Sequence, residues 1–317
     1  MRLRDKHYEI DMLNGPVMPR LLSFALPLML SSMLQLTFNA ADVIVVGRFE
    51  GDAALAAVGA PGALINLLIN LFLGLSVGAN VVVAQCYGAG SFKDTSDAVH
   101  TSIALSLLGG VGVGILGFFM SGTFLSMMNT PGEVLPLATA YMRIYFLGMP
   151  ANLLYNFGAA ILRAVGDTRR PLTYLTISGV VNVALNLVFV IVFRMGVSGV
   201  ALATIISQAI SAALVTLCLI RTEGPIHLDP CKVRLDGKKV GQIARVGLLR
   251  GMGSSVTPMV VSILGACVLR IVWILTIFPL DPTLTMLYIS YPVSWFITFS
   301  AHIACYFFVK KKKYPTA

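Results

Sequence analysis

Apolar residues run almost unbroken through long stretches of this chain, and polar residues gather in short clusters between them. Eight apolar segments stand out, over residues 21–46, 53–87, 99–120, 137–162, 172–193, 200–220, 258–278 and 286–309. Each is long enough for a helix to cross a hydrocarbon core of about 30 Å. None alternates polar and apolar residues at period two, as a barrel strand would. The pattern predicts an all-α integral membrane protein with about eight transmembrane helices.

Composition agrees with that reading. Of 317 residues, 57% are hydrophobic and 12% charged, and the mean hydropathy is +0.84, beyond what a soluble domain carries. The net charge of +9 is confined mainly to alternate connections. Arg2, Arg4, Lys6 and Arg20 precede the first segment, RAVGDTRRP precedes the fifth, 221–250 precedes the seventh, and Lys310 to Lys313 follow the eighth. The intervening connections GRFEGDA, SMMNTPGEVLP and FRMGVSG hold one basic residue or none. The positive-inside rule then places the chain as a multi-pass cell-membrane protein with both termini cytoplasmic, its charge facing the lipid bilayer surface and no nucleic acid. The amphipathic start MRLRDKHYEIDML lacks a signal-peptide cleavage site and is expected to stay.

Enzyme chemistry is excluded by what the motifs lack. GAGSFKD does not end as a phosphate loop does, His302 has no second ligand at metal spacing, and the five cysteines show no paired spacing. No metal or cofactor is expected. The informative residues are polar groups inside apolar segments. Asp42, near the end of the first, must be protonated, cation-bound, turned to water or close enough to the headgroups to reach them. Asn182 and Asn186, four residues apart, share one helix face, where two amides supply oxygens to a cation or glue helices together. Asn156 and Thr204 add further oxygens, while Asn66, Asn70, Asn80, Gln85 and Gln208 read as packing or cavity-lining groups. Arg270, midway along the seventh segment, needs a partner or a wet cavity. Pro27 deprives the Ser23 carbonyl of its donor and predicts a bend, and the glycines of GGVGVGILG predict close helix packing.

One phrase occurs twice. ILRAVGDTRRP and LLRGMGSSVTP share Leu162 with Leu249, Arg163 with Arg250, Gly166 with Gly253 and Pro171 with Pro258, a shift of 87. Each precedes an apolar segment on the basic side, with its proline at the helix start. The arginines, glycines and prolines are therefore expected to build two equivalent cytoplasmic turns, in halves related by an axis along the membrane normal.

FNAADVIVVGRF, GLSVGANVVVAQCYGAG, AAILRAVGDTRRP, VVNVALNLVFV and GVSGVALATIISQ, in this order, resemble the multidrug and toxic compound extrusion (MATE) family. The resemblance implies two six-helix lobes that export cationic or amphipathic small molecules in exchange for protons or sodium ions. It implies that Asp42 is the coupling carboxylate, with Asn182, Asn186, Asn156 and Thr204 around it; Asn186 stands where many members carry a second aspartate. In such a family the phrase should recur after roughly 210 residues, so a shift of 87 means that about 120–130 residues, four spans with their loops, are absent from the second lobe. The expected organisation is a complete first lobe over 13–221, a basic loop and amphipathic linker over 222–250, a two-helix remnant over 251–310 and a basic tail over 311–317. The functional expectation is a cation-coupled antiporter impaired by that loss unless a second copy or a complementing chain completes it. The alternative is a non-transporting membrane protein that binds amphipathic ligands or partner helices. A third reading, flipping of a lipid-linked substrate, fits the composition but fits the motifs less well.

Overall fold

The structure, a computed structural model, describes residues 17–128 and 130–253, together with 293, 294 and 300. Among the described residues every regular element is helical. In chain order these are α1 (Val17–Phe49), α2 (Asp52–Gly59), α3 (Gly62–Gly88), α4 (Phe92–Met127), α5 (Leu135–Leu147), α6 (Met149–Ala164), α7 (Arg169–Leu187), α8 (Gly196–Arg221) and α9 (Gly237–Gly253). α7 continues into a π-helical turn over Val188–Val192. The chain divides into two compact units, Met1–Gly247 and Leu248–Ala317. All the packing described below lies within the first.

Five helical stretches are long and apolar enough to cross a membrane: Leu22–Phe49, Leu68–Gly88, Phe92–Met127, Arg169–Val192 and Gly196–Arg221. Two of the expected single helices are broken. Segment 53–87 divides at Ala60 and Pro61 into α2 and α3. Segment 137–162 divides at Gly148 into α5 and α6, of 13 and 16 residues. Pro150 explains the second break, because it has no N–H to donate to the Phe146 carbonyl four residues earlier. α1, by contrast, runs unbroken through Pro27. The seventh and eighth apolar segments lie outside the described residues, apart from residues 293, 294 and 300.

The glycines of α4 do what their spacing predicts. A Cβ on Gly110 would lie 2.5 Å from the Pro150 Cα, one on Gly114 would lie 2.9 Å from the Phe146 oxygen, and one on Gly117 would overlap the Phe146 ring. α4 therefore sinks into the α5–α6 break, against the Phe146 carbonyl. Phe146 and Met149 are fully buried there, in a core with Leu125, Met142 and Val200.

A second core closes the basic end of the unit. Phe157, Ile161 and Leu162 of α6 pack with Val215 and Leu219 of α8, with Ile226 and Leu228 of the connection that follows and with Ile243 of α9. The phrase GDTRRP lies here. Arg163 belongs to the last turn of α6, and the chain reverses at Gly166, whose φ of 90° suits a residue without a side chain. Pro171 sits in the first turn of α7, its carbonyl accepting a hydrogen bond from the Tyr155 hydroxyl at 3.2 Å. Between them Asp167 is fully buried. Its Oδ1 accepts from the backbone N–H groups of Arg169 and Arg170 at 3.2 and 3.1 Å, and its Oδ2 pairs with the Arg170 guanidinium. Arg170 reaches on toward Thr222, at 3.5 Å, and so links the start of α7 to the end of α8.

The copy of this phrase differs. Arg250 and Gly253 fall inside the final turns of α9 and so are helical; they do not form the turn expected there. In sequence the copy has SSVT where the first phrase has the Asp-Thr-Arg-Arg that caps α7, and residues 254–257 lie outside the described residues. Pro258 lies outside the described residues.

The basic connection after α8 is laid back on the unit as far as Gly247. The Asp229 N–H donates to His100 Nε2 at 3.1 Å, Arg234 pairs with Asp97 at 3.1 Å, and Lys239 pairs with Asp94 at 2.9 Å. Burial alone would lower the Lys239 ammonium, yet its bond to Asp94 and the nearby Cys86 hold it above its ordinary value. α9 then crosses α3 backbone to backbone. A Cβ on Gly247 would stand 2.9 Å from the Gly74 oxygen, and one on Gly78 would meet Gly247 N at 2.8 Å. The most exacting interaction at this end is the Asp167–Arg170 pair. Arg170→Ala would leave a buried carboxylate unpaired, and unfolding of the purified protein in detergent should show a loss of about 3–5 kcal/mol, whereas Arg169→Ala, at an exposed position, should change little.

Candidate functional site

α1 and α7 approach closely one turn below the acidic residue. Phe38 of α1 lies against Gly179 of α7, where any side chain would overlap its ring. That contact brings Asp42, four residues beyond Phe38, level with Asn182 and Asn186, three and seven residues beyond Gly179. Asp42 is 8% exposed, and Asn182 and Asn186 are buried with it. Asn186 Nδ2 donates to Asp42 Oδ1 and, at 3.4 Å, to Asn182 Oδ1. Asn182 Nδ2 donates at 3.5 Å to Thr204 Oγ1 of α8, which lies 3.5 Å from Asp42 Oδ2.

The donors do not satisfy every oxygen. Thr204 has one hydroxyl hydrogen, and the Val200 carbonyl at 2.9 Å is its nearer acceptor. Asp42 Oδ2 then faces a hydroxyl oxygen rather than a committed hydrogen. Asn186 Oδ1 is buried with no hydrogen-bond partner among the described residues. Oxygens of Asp42, Asn182 and Thr204 thus gather around the Asn186 and Asn182 amides, a cluster that a proton on Asp42 or a hard monovalent cation would complete. The donor set is all oxygen, and among the described residues no cluster of His, Cys, Asp and Glu suits a transition metal.

Asp42, Asn182 and Thr204 line the wall of a cavity of about 280 Å³. Asn156 lines the same cavity from α6, but its Nδ2 donates to Asn152 at 2.9 and 3.0 Å, so it belongs to the cavity wall and makes no bond to the Asp42 cluster. Asp42 is the one charged residue in the lining, among the described residues. The rest is amides, hydroxyls and aromatic edges, including Gln35, Asn39, Asn70, Tyr145, Ser207 and Gln208. Pro27, expected to bend α1, is buried and lies outside this lining. Arg163, Gly166 and Pro171 belong to the basic end and take no part in it.

Sequence reasoning passed over Gln35, Asn39, Asn152, Ser178, Ser207 and Ser211, all of which line the cavity. Their spacing carried a signal. Gln35, Asn39 and Asp42 repeat at four and three residues, Asn152 and Asn156 at four, and Thr204, Ser207, Gln208 and Ser211 trace one face of α8. Polar periodicity within an apolar helix marks a wet face as surely as apolar periodicity marks a buried one.

A family model described as MatE matches residues 27–188, half of the chain. The probable multidrug resistance protein YpnP of Bacillus subtilis (strain 168) is 33% identical over 201 residues, which are 63% of this chain and 45% of that protein. YoeA of the same organism, also named a probable multidrug resistance protein, is 31% identical over 245 residues, 76% of this chain and 52% of its own length. A protein of Shewanella oneidensis named FAD transporter is 24% identical over 257 residues, 79% of this chain and 56% of its own. The chain spans about half the length of the curated relatives it matches. Among solved structures, a MOP superfamily transporter from Pyrococcus furiosus aligns with a TM-score of 0.74 at 24% identity, covering 92% of this chain and 65% of that one. A multidrug resistance MATE family transporter in an outward-facing conformation aligns with a TM-score of 0.72 at 22% identity, covering 95% and 73%.

Removing one partner from the buried cluster should cost more than removing both. Asn186→Leu strips Asp42 of its firm donor and is expected to destabilise the protein by about 1–3 kcal/mol in detergent unfolding at neutral pH. Asp42→Leu combined with Asn186→Leu should recover part of that loss, because no buried carboxylate is then left without a donor.

Proposed function

Because the chain belongs to the MatE family, we propose that its first six expected spans form one lobe of a cation-coupled exporter of cationic or amphipathic small molecules, with Asp42 as the coupling group. The observation that carries this reading is the lone carboxylate in an otherwise uncharged cavity wall, held by Asn186 on one oxygen and 3.5 Å from the Thr204 hydroxyl on the other. A proton or sodium ion completing the Asp42 site competes with a cationic substrate for the same negative charge. Loading the ion weakens substrate binding and drives release, and bending at Pro27 adjusts the α1 wall between the two states. A cavity of about 280 Å³ lies at the lower end of the range for drug-sized ligands, and tyrosine edges with amides suit flat amphipathic cations. An anionic cargo such as the flavin dinucleotide named for the Shewanella relative would meet Asp42 unfavourably.

The lobe is one wall of a transport path. Rocking of two bundles about a shared site needs a second bundle, and the shift of 87 between the repeated phrases fits the loss of four spans from it. We read the single chain as transport-impaired, with coupled export restored when a second copy or a complementing chain faces the cavity. Both termini lie on the cytoplasmic side in this reading, because the basic connections share that side. The competing reading, a binding lobe without transport, draws on the same coverage of about half the relatives' length.

Export of a fluorescent lipophilic cation from proteoliposomes under imposed proton or sodium gradients separates these. The expected result is gradient-dependent efflux only in preparations that contain a dimer or a complementing chain, abolished by Asp42→Asn. Asp42-dependent efflux from a chain shown to be monomeric would contradict the need for a second bundle. Absence of efflux in every assembly state, with cation binding intact, would favour the binding lobe.

A further inference from the structure

Away from the polar cavity, the outer side of α4 carries a second concavity of about 330 Å³ whose lining is entirely apolar. α4 contributes no residue to the polar cavity, so this groove belongs to a different face of the lobe. It exists because the α4 glycines let that helix settle into the α5–α6 break. Gly114 and Phe146 form its floor, and Ile115, Phe118, Phe119 and Leu147 stand along its sides. Phe119 is 73% exposed and Leu147 is 60% exposed, as side chains in hydrocarbon would be.

One residue beside this groove does not suit hydrocarbon. Arg143, exposed on α5, holds its guanidinium carbon 5.7 Å from the centre of the Phe118 ring, and Phe118 meets Phe119 edge to face at 5.5 Å. Arg143 is the only Lys or Arg between Lys93 and Arg163, and no carboxylate among the described residues lies within ion-pair distance of it. It sits eight residues into α5, about 12 Å along the axis from the helix start, within reach of the membrane surface for a long side chain that extends toward the headgroups. The Phe118 ring supplies part of what a cation needs there, and an anionic oxygen would supply the rest.

We propose that this groove is a phospholipid site, with one acyl chain lying in the trough along the outer seam of α4 with α5 and α6 and the lipid phosphate on Arg143. Charge complementarity selects the occupant. An acyl chain fits a wholly apolar trough, and the one group that a hydrocarbon surface cannot accommodate is matched by the one group every phospholipid carries just above its chains. A lipid with net negative charge binds more tightly than a zwitterionic one, whose choline competes with the guanidinium for the phosphate.

Native mass spectrometry of the full chain, released from detergent in the presence of dioleoyl phosphatidylglycerol or dioleoyl phosphatidylcholine, tests this. The wild type should retain one more phosphatidylglycerol than Arg143→Gln, with affinity for that lipid weakened about tenfold in the variant and partly kept in Arg143→Lys. Ile115→Trp, which fills the trough at an exposed position and leaves the cation in place, should lose the same lipid. Equal retention by wild type, Arg143→Gln and Ile115→Trp, all shown to melt at the same temperature, would overturn the proposal. So would a wild-type dimer that dissociates in Arg143→Gln with lipid counts unchanged, which would make the face a protein contact.

Discussion

A carboxylate inside a membrane helix must find hydrogen-bond donors, a counter-ion or a proton, and the arrangement of this lobe around Asp42 follows from that need. The α1–α7 crossing is close because Gly179 yields to Phe38, and closeness there is what sets the Asn182 and Asn186 amides against Asp42. α8 joins through Thr204, so three helices meet at one charge. Asn182, Thr204 and Asp42 also face the cavity, which makes the state of the charge part of the cavity's own chemistry. A fully satisfied cluster would be structural glue. This one gives Asp42, on the wall of a cavity, a single firm donor among the described residues, and that is the physical basis for reading it as a site an ion enters and leaves.

The basic end is built on the opposite principle. Asp167 is held by two backbone N–H groups and a guanidinium, Tyr155 reaches across to the Pro171 carbonyl, and the connection after α8 is tied to α4 through His100, Asp97 and Asp94. Here the buried carboxylate is paired with a guanidinium. A lobe closed and cross-linked at one end and under-satisfied near its middle can respond to an ion without losing its fold.

Much of this was legible in the sequence, for reasons that differ by residue. Asp42, Asn182 and Asn186 stood out because a polar group in an apolar run has few innocent explanations. The close packing of α4 was legible because Gly110, Gly114 and Gly117 leave one face of a helix nearly bare. Two breaks were not read. Pro150 lies within an apolar run whose hydropathy continues across it, and hydropathy does not register a missing backbone donor. The repeated phrase misled in detail, since Arg250 and Gly253 match Arg163 and Gly166 by type while the turn at Gly166 depends on Asp167 and Arg170, which the copy lacks. Asn156 shows a further limit: the family resemblance put it beside Asp42, and nothing in the sequence revealed that Asn152 already holds its amide on the cavity wall.

The central claim is that the Asp42 cluster exchanges a proton or a sodium ion against a cation in the cavity. Calorimetric titration of the purified chain with tetraphenylphosphonium, repeated in buffers of different ionisation enthalpy and with and without sodium, measures that exchange without requiring transport. The account predicts that binding expels a proton or is weakened competitively by sodium, and that Asp42→Asn abolishes the linkage. Binding of the cation with the same linkage in Asp42→Asn, or with none in the wild type under either ion, would contradict it.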